Sequence, residues 1–255
     1  MAVPKALVLR GSGLNCNNET EHALKVAGAE TAQAHMNDIM EGRISLEDFD
    51  VAVIPGGFSY GDDLGAGKIM AVQIKHSLKS DFQKFVAEGK LLVGICNGFQ
   101  VLVKTGFLPG NCDATFTFND SGHFEDRWIY LKPSADSIFT RGIKSLYVPV
   151  NHGEGKFVAS EVDLTRLERN GQVAFKYCDR LLNDAKGYPA NPNGAMRNIA
   201  AVTNIKGNVF GMMPHPEKFI IRYQHPRWTR ETLPEEGQGF AVFRNIVNYA
   251  KARLV

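Results

Sequence analysis

The sequence lacks the features that mark several large classes of protein. It has no strong excess of either charge: Lys and Arg total 29 against 27 Asp and Glu, a formal net charge of +2. A nucleic-acid-binding chain would concentrate a basic face, so no nucleic-acid partner is expected. No apolar run approaches the length that crosses a bilayer, and Met1-Ala2-Val3-Pro4-Lys5 lacks the apolar region of a signal peptide, so no membrane association is expected. Cysteine is scarce. Cys16, Cys96, Cys112 and Cys178 form no C-x-x-C pair and no His-rich ligand spacing, which points to reduced thiols in a cytoplasm and to no metal site. A phosphate loop is missing as well. Gly61-Asp62-Asp63-Leu64-Gly65-Ala66-Gly67-Lys68 places five residues rather than four between its outer glycines, and Ile69 stands where Ser or Thr must hold magnesium. ATP binding there is rejected.

What is present is an ordinary globular composition, 44% apolar and 22% charged, in a chain long enough to bury a large core. One domain spanning residues 1–255 is expected, with 218–237 an insertion or interface segment and 238–255 a C-terminal helix. Short apolar strands at 5–10, 31–35, 51–54 and 91–95 alternate with helices at 19–26, at 68–88 (broken near Ser80-Asp81) and from 97 to 104. This rhythm predicts an α/β fold whose mostly parallel central sheet is flanked by helices. After Leu108-Pro109-Gly110 the pattern becomes antiparallel. Residues 114–132 have strand composition with a hairpin turn at Asp120-Ser121-Gly122. Further strands are expected at 146–150 and 173–178, a short helix at 163–169, and a hairpin joining 199–203 to 208–212. Ligands on parallel sheets sit beyond the carboxyl ends of the strands. The Gly11 loop, the Gly56 loop and the turn after residue 95 belong on that edge.

The turn after residue 95 organises the chain. Leu91-Leu92-Val93-Gly94-Ile95 is a buried strand, Asn97 starts a helix, and Cys96 sits between them with a glycine two residues to either side. That is the strand–nucleophile–helix elbow, G-x-C-x-G, in which a side chain at either glycine would strike the neighbouring strand or helix. A thiol at a helix N-terminus faces unpaired N–H groups that favour thiolate. Pro55-Gly56-Gly57 follows the third strand directly. Backbone N–H groups of Gly56 and Gly57, with that of Asn97, make a candidate oxyanion hole. Far downstream, Met213-Pro214-His215-Pro216-Glu217 carries two prolines that favour extended geometry, so His215 and Glu217 project to one side. Cys96 as nucleophile, His215 as base and Glu217 as the carboxylate that orients the base form a candidate triad.

These residues carry a resemblance. Gly94-Ile95-Cys96-Asn97-Gly98-Phe99-Gln100 with Met213-Pro214-His215-Pro216-Glu217 resembles the class I, or triad, glutamine amidotransferases. Gly13-Leu14-Asn15-Cys16, Pro55 to Asp62, His152-Gly153-Glu154-Gly155 and Pro192-Asn193-Gly194 narrow the resemblance to the glutaminase subunits of phosphoribosylformylglycinamidine synthases, over residues 5–217 and a terminal helix. Gly13-Leu14 stands where Gly-Thr is common. The resemblance implies a single-domain amidotransferase fold and glutamine hydrolysis through a Cys96 thioester. The ammonia would pass to a large synthetase subunit, often joined by a small third subunit. ATP and magnesium would belong to that partner, and no cofactor to this chain. Gln100, one helical turn after Cys96, is placed to bind the α-amino or α-carboxylate group of glutamine. By family analogy Asn151, His152 and Gly153 line the same pocket, although His152 is equally a packing residue. Two rivals remain open at this point. DJ-1/PfpI-like cysteine hydrolases share the sheet and elbow, but those of the peptidase type carry His directly after the nucleophile, where this chain has Asn97, and Met213-Pro214-His215-Pro216-Glu217 fits them poorly. The other is a subunit that kept the fold and lost the chemistry. Another amidotransferase acceptor is a third possibility.

Overall fold

Ala6 to Leu9 have no polar face to offer water, and the strand they form, β1 (Lys5–Arg10), is buried along its middle. The computed structural model describes residues 2–254; Met1 and Val255, the two ends of the expected domain, lie outside the described residues. In chain order the elements are β1, α1 (Asn17–Val26), β2 (Glu30–His35), α2 (Met36–Met40), β3 (Val51–Ile54), α3 (Lys68–Gln73), α4 (Lys79–Ala87), β4 (Leu91–Ile95) and α5 (Asn97–Thr105). They continue as β5 (Ala114–Thr117), β6 (Glu125–Pro133), β7 (Leu146–His152), β8 (Lys156–Ala159), α6 (Glu161–Arg169), β9 (Val173–Cys178), β10 (Ile199–Thr203), β11 (Val209–Met212) and α7 (Phe240–Arg253).

Nine strands make one sheet in the order β2-β1-β3-β4-β11-β10-β9-β6-β7. The half from β2 to β11 is parallel throughout. The half beyond β11 is antiparallel and begins with the expected β10–β11 hairpin. From β1 the chain steps one way to β2, then returns past β1 to β3 and on to β4. Right-handed crossovers therefore put α1 and the α3–α4 pair on opposite faces. Accordingly α1 packs on β1, β2 and α7, whereas α5 packs on β3, β4, β11 and α3. The reversal between β1 and β3 opens a crevice at the carboxyl ends of the parallel strands. The loops after β1, β3, β4 and β11 all leave from that edge.

Two expectations need correction and one, the broken helix, gains detail. Residues 114–132 do not form a hairpin: β5 pairs with β8 in a separate two-stranded sheet, while β6 lies between β9 and β7 in the main one. The cause is aromatic packing. Phe116 on β5 and Phe157 on β8 close over Phe99 of α5, with ring centroids 4.8 Å apart for Phe99–Phe116 and 5.6 Å for Phe116–Phe157. The helical stretch 68–88 is interrupted by a π-turn at Ile74–Leu78, and the break falls at Leu78 (φ −128°), just before Ser80-Asp81. Glu217 is not on extended chain: Pro216–Lys218 is a 3-10 turn that accepts Pro at its first position.

Residues 218–237 are anchored at their start. Phe219, Ile220 and His225 are buried, with Phe219 and His225 packed on Trp128 of β6. Tyr223 and Trp228 are half exposed and stack edge to face on each other. Among the described residues no helix is long and apolar enough to cross a membrane.

Candidate active site

The elbow is built by close approach. A Cβ on Gly98 would lie 1.9 Å from the carbonyl oxygen of Ile54 on β3, and one on Gly94 would lie 2.5 Å from that of Gly98. Only glycine lets β4 turn into α5 while touching both neighbours. Cys96, at the turn, has φ 51° and ψ −106°, a strained conformation for a residue with a side chain. Its own N–H donates to the Met212 carbonyl at 2.8 Å, which ties the elbow to β11.

β11 in turn delivers His215. The His215 N–H donates to the Pro149 carbonyl at 2.9 Å, and the turn begun by Pro216 brings Glu217 back beneath the ring. Nδ1 of His215 and Oε1 of Glu217 are 2.5 Å apart, with both side chains almost wholly excluded from solvent. This contact fixes the Nδ1–H tautomer, so Nε2 carries the free lone pair. His215 Nε2 and Glu217 Oε2 are buried with no hydrogen-bond partner. The Cys96 thiol donates instead to the Asn151 carbonyl at 3.5 Å. Burial drives the Cys96 thiol far above its ordinary range, Cys16 and Glu217 add to that rise, and Lys218 and the Asn97 N–H oppose it. The expectation of a thiolate at the helix N-terminus is therefore corrected: desolvation outweighs the helix end, and the resting group is a thiol.

Cys96 opens onto a cleft of about 440 Å³ lined also by Gly57, Phe58, Asp62, Gln100, Asn151, His152, Gly153 and Glu154. Of the proposed oxyanion donors, Gly57 lines the cleft and the Asn97 N–H points at the Cys96 sulfur. Gly56 lies behind, where a Cβ would sit 2.6 Å from Cε1 of His215, and its carbonyl accepts from the N–H groups of Asn15 and Cys16. The Gln100 amide is committed at both ends: its oxygen accepts from Asn97 Nδ2 at 3.0 Å, and its nitrogen donates to the Glu154 carbonyl at 2.6 Å. His152 is clamped likewise. Its Nδ1 meets Asn119 Oδ1 at 3.1 Å and its Nε2 meets Asn193 Nδ2 at 3.3 Å. Burial, then the nearby His215, lower its pKa to about 4, so the ring is neutral. The packing reading of His152 fits these contacts; it also forms part of the wall.

Sequence reasoning missed four groups here. Lys218 donates to Asn151 Oδ1 at 2.7 Å, and its position next to Glu217 was the available signal. Asn119 and Asn193 orient His152 from distant loops; Asn193 stood in the Pro192-Asn193-Gly194 motif, but no spacing tied either asparagine to His152. Glu154 and Asp62 give the cleft its negative charge, which suits an ammonium group. Phe58, Phe118 and Phe124 stand exposed at its mouth.

Comparison with known proteins agrees with this geometry. Residues 3–250 match the CobB/CobQ-like glutamine amidotransferase domain. The chain is 44% identical to the phosphoribosylformylglycinamidine synthase subunit PurQ of Dehalococcoides mccartyi, over 98% of this chain and 99% of the relative. It is 41% identical to the subunit of the same name from Methanococcus maripaludis, over 97% of each. Among solved structures, PurLQS from Thermotoga maritima is similar with a TM-score of 0.77 and 30% identity, covering 97% of this chain and 99% of that one. A glutamine amidotransferase from Thermotoga maritima shares the fold, with a TM-score of 0.54 at 16% identity over 100% of this chain and 99% of that one.

Proposed function

Since the chain belongs to the CobB/CobQ-like glutamine amidotransferases and, within them, to the PurQ subunits of phosphoribosylformylglycinamidine synthase, we propose that Cys96, His215 and Glu217 hydrolyse glutamine to glutamate and ammonia. The observation that carries this reading is the buried His215–Glu217 pair, with Nε2 unpartnered, delivered by β11 to the edge where the Cys96 elbow ends. Glutamine enters the cleft with its carboxamide at Cys96. Nε2 of His215 takes the thiol proton as sulfur attacks the carbonyl carbon. The oxyanion is held by the Asn97 N–H and by that of Gly57, the one glycine of the turn that lines the cleft. His215 then protonates the departing nitrogen, the C–N bond breaks, and ammonia leaves a glutamyl thioester. Water, deprotonated by His215, releases glutamate. Glu217 holds the imidazole tautomer and balances the imidazolium charge. Asn151 and Gly153 contact the α-substituents, joined by Gln100 through the hydrogen-bonding capacity its amide keeps. His152 contributes its ring face and backbone.

The ammonia serves a large synthetase subunit that amidates formylglycinamide ribonucleotide in purine synthesis. A small third subunit completes the assembly, and ATP and magnesium bind to the partner, in the cytoplasm. The similarity to PurLQS supports the synthetase partner. The resting thiol, turned to Asn151 rather than to His215, supports low activity of the isolated chain, because assembly must bring Cys96 and Nε2 together. Glutamate release from glutamine, measured for the chain alone and with its synthetase, tests this. Slow release strongly stimulated by the partner is expected; no release in the assembled enzyme overturns the reading.

A further inference from the structure

Cys16 lies beside the His215–Glu217 pair yet takes no part in the chemistry described above. It ends the loop after β1. One donor atom from each of Cys16, His215 and Glu217 lies within 4.8 Å of the other two, and all three residues are buried. We propose that these residues form a site for a thiophilic divalent cation, represented by zinc, and that its binding switches off glutamine hydrolysis. The switching half rests on His215 being the base; the binding half does not.

The donor set is one sulfur, one imidazole nitrogen and one carboxylate oxygen, which suits zinc and not the oxygen-seeking magnesium or calcium. Capacity is left over for a cation. Glu217 Oε2 and His215 Nε2 have no hydrogen-bond partner, and the Cys16 thiol contacts its neighbour Asn15 Oδ1 at 3.3 Å and the Lys218 ammonium, which a bound cation would displace. Ligand bonds of roughly 2.0–2.3 Å need the donors to draw together by about an ångström. On binding, the thiol proton leaves to solvent, and one dication balances the thiolate and the carboxylate in a dry setting. Either ring nitrogen serves the switch. A cation on Nε2 occupies the lone pair that must accept the Cys96 proton. A cation on Nδ1 breaks the bond to Glu217 and fixes the ring proton on Nε2.

Cobalt(II) titration tests the proposal, because thiolate ligation gives an ultraviolet charge-transfer band that needs no enzyme activity to be seen. The unaltered chain should show the band and lose it to added zinc. Cys96→Ala should keep the band, and Cys16→Ser should lose it. Cys16→Ala repeats the test should serine disturb folding. With chelator present Cys16→Ser should retain glutamine hydrolysis, and its half-inhibition should need roughly tenfold more zinc or beyond, the least that even an outer partner of a metal site contributes. No band in the unaltered chain, or a band that survives Cys16→Ser and Cys16→Ala but disappears in Cys96→Ala, overturns the proposal. A chain that binds cobalt through Cys16 but never hydrolyses glutamine upholds the site and refutes the function instead.

Discussion

Acid should loosen this protein through His152, and the structure sets the size of the effect. Asn193 Oδ1 accepts the Ala195 N–H at 3.0 Å, which turns its Nδ2 toward the imidazole. Asn119 donates from Nδ2 to the His123 and His152 carbonyls, which turns its Oδ1 toward Nδ1. The ring is thus clamped as the Nδ1–H tautomer with Nε2 as acceptor. Protonating Nε2 would set one N–H against another in a buried site, and the folded-state pKa falls from 6.5 to about 4. The sign follows from linkage. A depressed histidine pKa contributes stability that is complete above the unfolded value and drains away as pH falls toward the folded one. A gap of this size is worth roughly 3 kcal/mol, all of it lost between about pH 6.5 and 4. Denaturant midpoints across this range should fall steeply for the unaltered chain. His152→Gln should be less stable at neutral pH, with most of that acid slope removed. Equal acid slopes in the two proteins would refute the clamp.

Three further outcomes follow from the same contacts. Gly98→Ala must move its methyl away from the Ile54 carbonyl, only 1.9 Å from the ideal position, so it should cost about 3 kcal/mol or more in a denaturant titration; an unchanged midpoint would show that the elbow has slack. His215→Asn should slow glutamine turnover by on the order of ten-thousandfold or more. Glu217→Gln should cost roughly a hundredfold less, since the base remains, and full activity in Glu217→Gln would make that carboxylate a bystander. Charge and aromatic substitutions at Arg222, Tyr223, Arg227 and Trp228 should weaken synthetase binding without unfolding the chain, because the buried anchors Phe219 and His225 are untouched; unchanged affinity in all four removes residues 218–237 from the interface.

Much of the site was legible because its signals are local. Gly94 and Gly98 report a close approach of backbone, and the cysteine between them marks the strained turn from β4 into α5. Two prolines around His215 confine it near Glu217. The parallel half of the sheet was legible from short apolar strands separated by helices. Long-range partnership was not. Asp120-Ser121-Gly122 predicted a hairpin, but Phe116 finds Phe157 from across the chain and pairs β5 with β8. The state of the thiol depends on burial, which helix position alone does not reveal. Cys16 approaches His215 only because β1 and β11 discharge their loops on one edge, and no spacing in the sequence records that meeting.

The central claim is that Cys96 is the nucleophile toward glutamine, and an electrophile that mimics glutamine tests it most directly. Cys16 provides the internal control, since it also lies beside His215 but its thiol has no place in the cleft lining. Mass spectrometry after brief exposure should find the adduct on Cys96, with Cys16, Cys112 and Cys178 unmodified and with free glutamine slowing the labelling. In parallel, Cys96→Ala should abolish glutamine-dependent synthesis by the assembled enzyme and leave ammonia-dependent synthesis intact. An adduct that forms mainly on Cys16, or that glutamine does not protect against, would contradict the account.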